Sequence, residues 1–373
     1  MAKVAATPCA AYAHMTKQIK VGKVRIGGRA PVLIQSMAKT DTRDVKATVN
    51  QIKELEKAGC ELVRIAVKDF QAASAIKKIR KKIKIPLIAD IHFDYRLAIA
   101  AIENGADKIR LNPGNLYKEE QVIEVANLAK KRRIPIRVGV NSGSVVSGVR
   151  CQVLGGVRGI SLTTRMVKVA LNYIKLLEKV GFYDIIVSLK ASDLVTTVDA
   201  YRKFSKVSQY PLHLGITAAG PVSTGIVKSS IGIGVLLSEG IGDTIRVSLT
   251  GHPCEEVAAA KNILQALNLR RFSPDIISCP TCGRCQVDLQ KIVREFEARY
   301  ASCVVRFASK QFPAIAIMGC EVNGPGEAKE ADIGVACGKG YGAIFKKGKI
   351  IKRVKEKNIV NELIYALRTT QDA

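Results

Sequence analysis

The sequence predicts an α/β chain: a (β/α)8 TIM-type barrel over residues 1–269, followed by a smaller α+β domain over residues 270–373. Two observations predict the barrel. Short apolar runs recur along the first part of the chain, and amphipathic stretches rich in Lys and Glu separate them. Eight such units fill about 250 residues, the size of a closed parallel barrel. A third observation sets the remainder apart, because three cysteines crowd into residues 279 to 285 beyond a Ser273-Pro274 boundary.

In chain order, the predicted strands are Val32–Gln35, Leu62–Ala66, Leu87–Ala89, Lys108–Leu111, Ile136–Val140, Ile185–Leu189, Leu212–Gly215 and Thr244–Ser248. Between them, Val45–Ala58, Ala72–Ile83, Tyr95–Glu103, Glu119–Lys131 and Thr164–Val180 carry apolar residues at three- and four-residue steps, as a helix with one buried face does. Glu255–Leu267 reads as the closing helix, and Arg270 to Ile277 as the linker. The Gly, Ser and Val-rich stretch from Ser142 to Thr163 interrupts the rhythm, and reads either as a mobile lid or as a long loop. A doubly wound open sheet is the competing architecture, but no Gly-x-Gly-x-x-Gly follows the first strand, which weighs against dinucleotide binding.

With 47% hydrophobic and 24% charged residues the composition is that of a globular protein. The N-terminal stretch lacks a signal-peptide core, being interrupted by Pro8, Tyr12 and His14, and no run reaches the roughly 18 apolar residues of a membrane span. Ten unevenly scattered cysteines fit a reducing cytoplasm better than a disulfide framework. The net charge of +27 attracts anionic partners: nucleic acid, membranes, acidic proteins or phosphorylated substrates. Its densest runs, Lys77 to Lys84 and Lys346 to Lys357, alternate with isoleucines and read as solvated faces. With no Trp and no nucleic-acid-reading motif, a dedicated nucleic-acid surface is the weaker reading.

In a parallel barrel, residues at the carboxyl ends of the strands converge on one mouth. Here they are Gln35, Arg64, Asp90, His92, Arg110, Asn112, Arg137, Asn141, Lys190, His213, Arg246 and Ser248. Arg64, Arg110, Arg137, Lys190 and Arg246 come from five different strands, and so many cations in one concavity call for an anion to neutralise them. Guanidinium groups fork onto phosphate oxygens, so a compact polyanion such as a diphosphate is the expected ligand.

The second domain carries Cys-Pro-Thr-Cys-Gly-Arg-Cys at 279 to 285 and Met-Gly-Cys-Glu-Val-Asn-Gly-Pro-Gly-Glu at 318 to 327. Cysteines two residues apart on a tight turn aim their sulfurs into one small volume, and a ligand from a distant loop closes the shell. Spacing alone leaves two readings, an iron–sulfur cluster or a structural zinc. A zinc-stabilised, basic nucleic-acid-binding protein is the functional counterpart of the second.

Taken together, Asp90-Ile-His-Phe-Asp-Tyr-Arg96, Arg110-Leu-Asn-Pro-Gly-Asn115, Gly139-Val-Asn-Ser-Gly143, Leu189-Lys-Ala-Ser-Asp193, His213-Leu-Gly-Ile-Thr217, Ser238-Glu-Gly-Ile-Gly-Asp243 and the two cysteine loops resemble the 4-hydroxy-3-methylbut-2-enyl diphosphate synthase family over nearly the whole chain. The resemblance implies a barrel plus a cluster domain. It implies reductive opening and dehydration of 2-C-methyl-D-erythritol 2,4-cyclodiphosphate in non-mevalonate isoprenoid biosynthesis, with ferredoxin or flavodoxin as electron donor. It also implies a homodimer in which the cluster of one chain caps the barrel mouth of the other. Carried over by residue, it makes Cys279, Cys282, Cys320 and Glu327 the ligands of a 4Fe-4S cluster. A carboxylate holds iron more weakly than a thiolate does, so Glu327 would leave a displaceable position, which gives it a catalytic role beside Asp90 and His92.

Departures from the family pattern stand at three positions. Cys285 completes a Cys-x-x-Cys-x-x-Cys run and by spacing competes for a ligand position, although the family pattern does not require it. Ala218 stands in Gly-Ile-Thr-Ala-Ala-Gly where the family has Glu, which predicts a slow or impaired enzyme, one in which Asp90 partly substitutes, or a homologue retained as a binding protein. Glu321 replaces an apolar residue and reads as solvated. Cys9, Cys60, Cys151, Cys254, Cys303 and Cys337 show no ligand spacing, and His14 and His252 no partner.

Overall fold

The computed structural model describes residues 15–147, 160–303, 312–320, 326 and 331–371. Contacts divide the chain into two compact units, Met1–Arg270 and Arg271–Ala373.

The first unit opens with an antiparallel hairpin, β1 (Ile19–Val21) and β2 (Val24–Ile26). Eight parallel strands follow: β3 (Leu33–Met37), β4 (Leu62–Ala66), β5 (Leu87–Asp90), β6 (Lys108–Leu111), β7 (Ile136–Asn141), β8 (Ile185–Lys190), β9 (His213–Leu214) and β10 (Thr244–Ile245). They pair in the order β8-β7-β6-β5-β4-β3-β10-β9, and a parallel bridge between Val187 and Leu212 closes the ring. Helices α1 (Val45–Ala58), α2 (Phe70–Arg80), α3 (Tyr95–Glu103), α4 (Glu119–Arg132), α5 (Ser142–Ser147), α6 (Leu162–Lys179), α7 (Leu194–Ser205), α8 (Val222–Ser238) and α9 (Pro253–Ala266) connect them.

Local chemistry starts these helices. Asp44, Asp69, Asp94 and Asp193 each accept a backbone N–H of the first turn, satisfying a donor that the helix leaves open. At the floor of the barrel, Leu33, Leu62, Ile88 and Ile186 pack against Ile19, Val21 and Ile26 of the hairpin, so the amino ends of the strands are plugged and the carboxyl ends form the mouth.

Two strands are shorter than the sequence predicts. β9 stops at Leu214 because Gly215 turns to φ +155, and β10 pairs only over Thr244 and Ile245. The predicted Ser142 to Thr163 insertion begins as helix α5 and runs into α6 at Leu162; residues 148–159 lie outside the described residues. Among the described residues no helix is long and apolar enough to cross a membrane.

The second unit is a mixed sheet in the order β11 (Asp275–Ser278), β12 (Ala314–Met318), β13 (Ile333–Gly338), β14 (Tyr341–Lys346) and β15 (Lys349–Lys355). The first three strands run parallel and the last two pair antiparallel. Helices α10 (Leu289–Cys303) and α11 (Ile359–Gln371) supply Phe296, Tyr300, Ile359 and Leu363 to a core with Ile315, Ile317, Val335 and Ile344. That core holds the strand ends carrying the cysteine loops.

Candidate active site

The mouth is built on side chains that alternate along the strands. β6 is the clearest case: Arg110 and Asn112 follow Lys108 at two-residue steps, while Ile109 and Leu111 pack outward. Asp90, at the end of β5, is the carboxylate around which the basic groups gather. Its Oδ1 lies 3.3 Å from Arg110 Nη1, and its Oδ2 lies 3.6 Å from Arg64 Nε and 3.4 Å from His92 Nε2. Burial alone would raise the pKa of Asp90, but Arg64 first, then Arg110, His92 and Arg137, outweigh it and hold the carboxyl well below its usual range. Asp90 is therefore an ionised counter-ion at neutral pH.

Arg110 also donates to the Gly139 carbonyl at 2.9 Å. A Cβ on Gly139 would sit 2.4 Å from Arg110 Nε, so the bare backbone of β7 is what seats this guanidinium. In the same way, a Cβ on Gly215 would meet Lys190 Nζ at 2.6 Å. Burial, reinforced by Arg137 and then Arg246, presses the Lys190 pKa well below its ordinary value. Burial and then Arg64 lower Arg246 to about 10, against the pull of Glu256, whose Oε2 lies 4.0 Å from Arg246 Nε. These depressions mark a site short of negative charge.

The remaining predicted residues fall into separate places. Asn112 is buried, and its Oδ1 accepts from the Gly114 amide and the Ser144 hydroxyl, both at 3.2 Å, tying the loop after β6 to α5. Asn141 ends β7, and its carbonyl accepts from Ser144 Oγ at 2.8 Å. Ser248 lies half-buried past β10, and His92 is exposed on the rim, 3.5 Å from Asn115 Nδ2. Arg137 and His213 sit lower. His213 opens β9 rather than following it, is fully buried, and has Nδ1 2.9 Å from Thr244 Oγ1. Burial, followed by Lys190 and Arg137, holds its pKa well below the ordinary histidine value, so the imidazole is neutral. Gln35 is buried inside β3.

Two functional residues are not among the sequence candidates. Lys108 is fully buried; its two-residue spacing from Arg110 was the signal that places it inside the barrel. Glu256, on α9, accepts from Ser36 Oγ and the Leu249 amide, each at 3.1 Å, and pairs with Lys39 at 3.1 Å. Nothing in a helical sequence distinguishes Glu256 from the adjacent Glu255, which caps the same helix.

In the second unit, Ser278 and Ile317 are register partners on adjacent parallel strands, so Cys279 and the Gly319-Cys320 pair emerge at the same sheet end. The Gly319 amide donates to Cys279 Sγ at 3.3 Å, and a Cβ on Gly319 would lie 2.5 Å from Cys285 Sγ and 3.4 Å from Cys279 Sγ. Only glycine lets the second loop approach both sulfurs. Cys285 donates its S–H to the Val287 carbonyl at 3.3 Å, and Cys282 is exposed. Soft thiols gathered at one edge, with an amide donor already on one sulfur, suit a thiolate-bound iron or zinc. Glu327 and Glu321 lie outside the described residues, as do Cys9, Cys151 and His14. Among the described residues, only Glu54, His252 and Cys254 bring three ligand atoms within 4.8 Å of one another, where α1 meets the start of α9. Cys60 and Cys337 are buried, and burial pushes both thiols up to about 12, as inert packing groups.

A closed parallel barrel with a cationic mouth, accompanied by a separate thiol-bearing unit, defines a barrel protein whose site handles anions. The chain belongs to the GcpE family: residues 16–261 match the GcpE TIM-barrel domain, and residues 275–369 match the GcpE protein C-terminal domain. It is 54% identical over 350 residues, 94% of this chain and 96% of the relative, to the 4-hydroxy-3-methylbut-2-en-1-yl diphosphate synthase (flavodoxin) of Caldanaerobacter subterraneus subsp. tengcongensis. Proteins of the same name from Clostridium acetobutylicum and Thermodesulfovibrio yellowstonii are 53% and 54% identical, covering 94% and 95% of this chain and 97% and 99% of theirs.

Proposed function

We propose that this chain converts 2-C-methyl-D-erythritol 2,4-cyclodiphosphate to 4-hydroxy-3-methylbut-2-enyl diphosphate, by reductive C–O cleavage and loss of water with two electrons drawn from flavodoxin or ferredoxin. The observation that carries this reading is the mouth itself: Arg64, Arg110, Lys190 and Arg246 face a space in which Asp90 is the central carboxylate. The family match favours this enzyme over a zinc-stabilised nucleic-acid-binding protein.

In this reading Arg64, Arg110, Arg137, Lys190 and Arg246 bind the diphosphate, with Asn112, Asn141, His213 and Ser248 shaping the pocket around it. Their charge favours the ring-opened diphosphate, whose bridging oxygen becomes a free anionic end when the C–O bond breaks. Asp90 keeps Arg64 and Arg110 oriented before substrate arrives, and His92 stands on the rim within reach of a substrate hydroxyl. Cys279, Cys282, Cys320 and Glu327 would hold a 4Fe-4S cluster, which when bound supplies electrons one at a time. A cytoplasmic homodimer belongs to the same reading, and the net charge of +27 suits an acidic electron-donor protein.

The test is anaerobic incubation of the reconstituted protein with the cyclodiphosphate and a chemical reductant, following the product by mass spectrometry. Formation of the allylic diphosphate is expected. Absence of product from both the wild type and Ala218→Glu, with iron bound, would overturn the reading.

A further inference from the structure

Barrels of this kind usually fill their interior with layers of Val, Ile and Leu. Here Leu33, Leu62, Ile88 and Ile186 line the floor, but polar residues stand beside them: Gln35 is the register partner of Leu62, Lys108 of Ile88 and Arg137 of Ile186. Gln35, Lys108, Arg137 and His213 have exposures of 1%, 0%, 1% and 0%. Each stands two residues before a position of the mouth on its own strand, as Lys108 does before Arg110 and Arg137 before Gly139. Among the described residues, Lys108 Nζ, Arg137 Nε and Nη1, His213 Nε2 and both polar atoms of Gln35 find no protein partner.

This set is short of acceptors. Arg137 from β7 and Arg64 from β4 act on Lys108, and neutral His213 faces it from β9. No carboxylate is among the charges that act on Lys108, and Asp90 is already shared by Arg64, Arg110 and His92. An ammonium fully removed from water without a counter-charge costs several kcal/mol. Water meets the donors only in part, since its own hydrogens would find little beyond the Gln35 carbonyl. Among the described residues, Asp90 and Glu256 are the carboxylates set against Arg64, Lys108, Arg110, Arg137, Lys190 and Arg246. Even a bound cyclic diphosphate, with one ionised oxygen on each phosphorus, leaves cations over.

We infer that the barrel floor binds a small inorganic anion of halide size, held by the Lys108 amine and the inward N–H groups of Arg137, Gln35 and His213. The anion is a resident counter-ion, distinct from the substrate: it supports Arg137 from below and leaves the charge of the mouth free for the diphosphate.

The test is thermal unfolding of the full chain in sodium bromide against sodium gluconate at fixed ionic strength, with saturating inorganic pyrophosphate in both to fill the mouth. Wild type is compared with Lys108→Met. A saturable rise in wild-type Tm is expected, about 5 °C at a hundredfold excess of bromide over its Kd, and no rise in Lys108→Met. An equal rise in both proteins, or none in wild type, overturns the inference. So does a Lys108→Met protein that shows no bromide response and is more stable than wild type at pH 7 by a margin closing toward pH 10, since that pattern identifies a neutral amine. Should Lys108→Met fail to fold, wild-type crystals grown in bromide decide: an anomalous peak against Lys108 Nζ supports the site, and bromide only at the mouth overturns it.

Discussion

Replacing Asp90 with Asn tests the electrostatic design of the mouth most directly. The side chains are nearly isosteric, so no cavity opens, and the change removes one charge from a group only 3% exposed. Arg110, with its side chain 4% exposed, and Arg64, 11% exposed, then face each other and Arg137 without the carboxylate that separates them. Breaking a buried ion pair from one side costs about 3–5 kcal/mol. In a unit of this size each kcal/mol moves Tm by about 2–4 °C, so Asp90→Asn is expected to melt roughly 6–20 °C below wild type. The sign with pH follows from the depressed carboxyl. Its stabilisation is fully present above the unfolded pKa of about 3.9 and is lost as pH falls further, through the folded value. The gap between the two proteins should therefore stay constant from about pH 5 to 8 and close only below about pH 4. Inorganic pyrophosphate should raise the Tm of Asp90→Asn more than that of wild type, because the ligand now supplies the missing negative charge. Differential scanning calorimetry measures all three quantities. A loss under about 2 °C, or equal pyrophosphate stabilisation of the two proteins, would refute the assignment of Asp90 as the counter-ion of the mouth.

Other substitutions probe neighbouring parts of the site. Gly139→Ala places a methyl 2.4 Å from Arg110 Nε and displaces it from the Gly139 carbonyl, so pyrophosphate binding by calorimetry should weaken about ten- to a hundredfold; unchanged affinity would contradict the seating role. Cys279→Ser and Cys320→Ser should lose bound iron and visible absorption after anaerobic reconstitution, while Cys285→Ser keeps both, since its sulfur is committed to the Val287 carbonyl; a colourless Cys285→Ser protein would make Cys285 a ligand. Ala218 is exposed past β9 at φ +51, a left-handed position that Glu also must adopt. Ala218→Glu should raise kcat about 10²- to 10⁴-fold if the carboxylate is the missing proton-transfer partner, and an unchanged kcat would show it dispensable here.

The sequence by itself determined the barrel, because a strand buried on both faces must be written as a short apolar run and a helix covering it as a 3.6-residue stripe, patterns that survive without knowledge of the partners. It also determined which residue types meet at the mouth, since parallel strands send all their carboxyl ends to one side. The Cys279 and Cys320 loops were legible for a similar reason, through glycines and prolines that exclude helix and a thiol density no ordinary core needs. Depth and partnership were decided only by the tertiary structure. His213 reads as a strand-end ligand, yet it opens β9, and its imidazole is fully buried inside the barrel. Lys108 reads as one lysine among many until strand pairing places it under Arg137, and Glu256 becomes the counter-charge of Lys39 and a neighbour of Arg246 only when α9 docks against β3. A carboxylate's pKa and a lysine's need of a counter-ion depend on distances of a few ångströms between residues far apart in the chain. Local sequence carries no record of those distances.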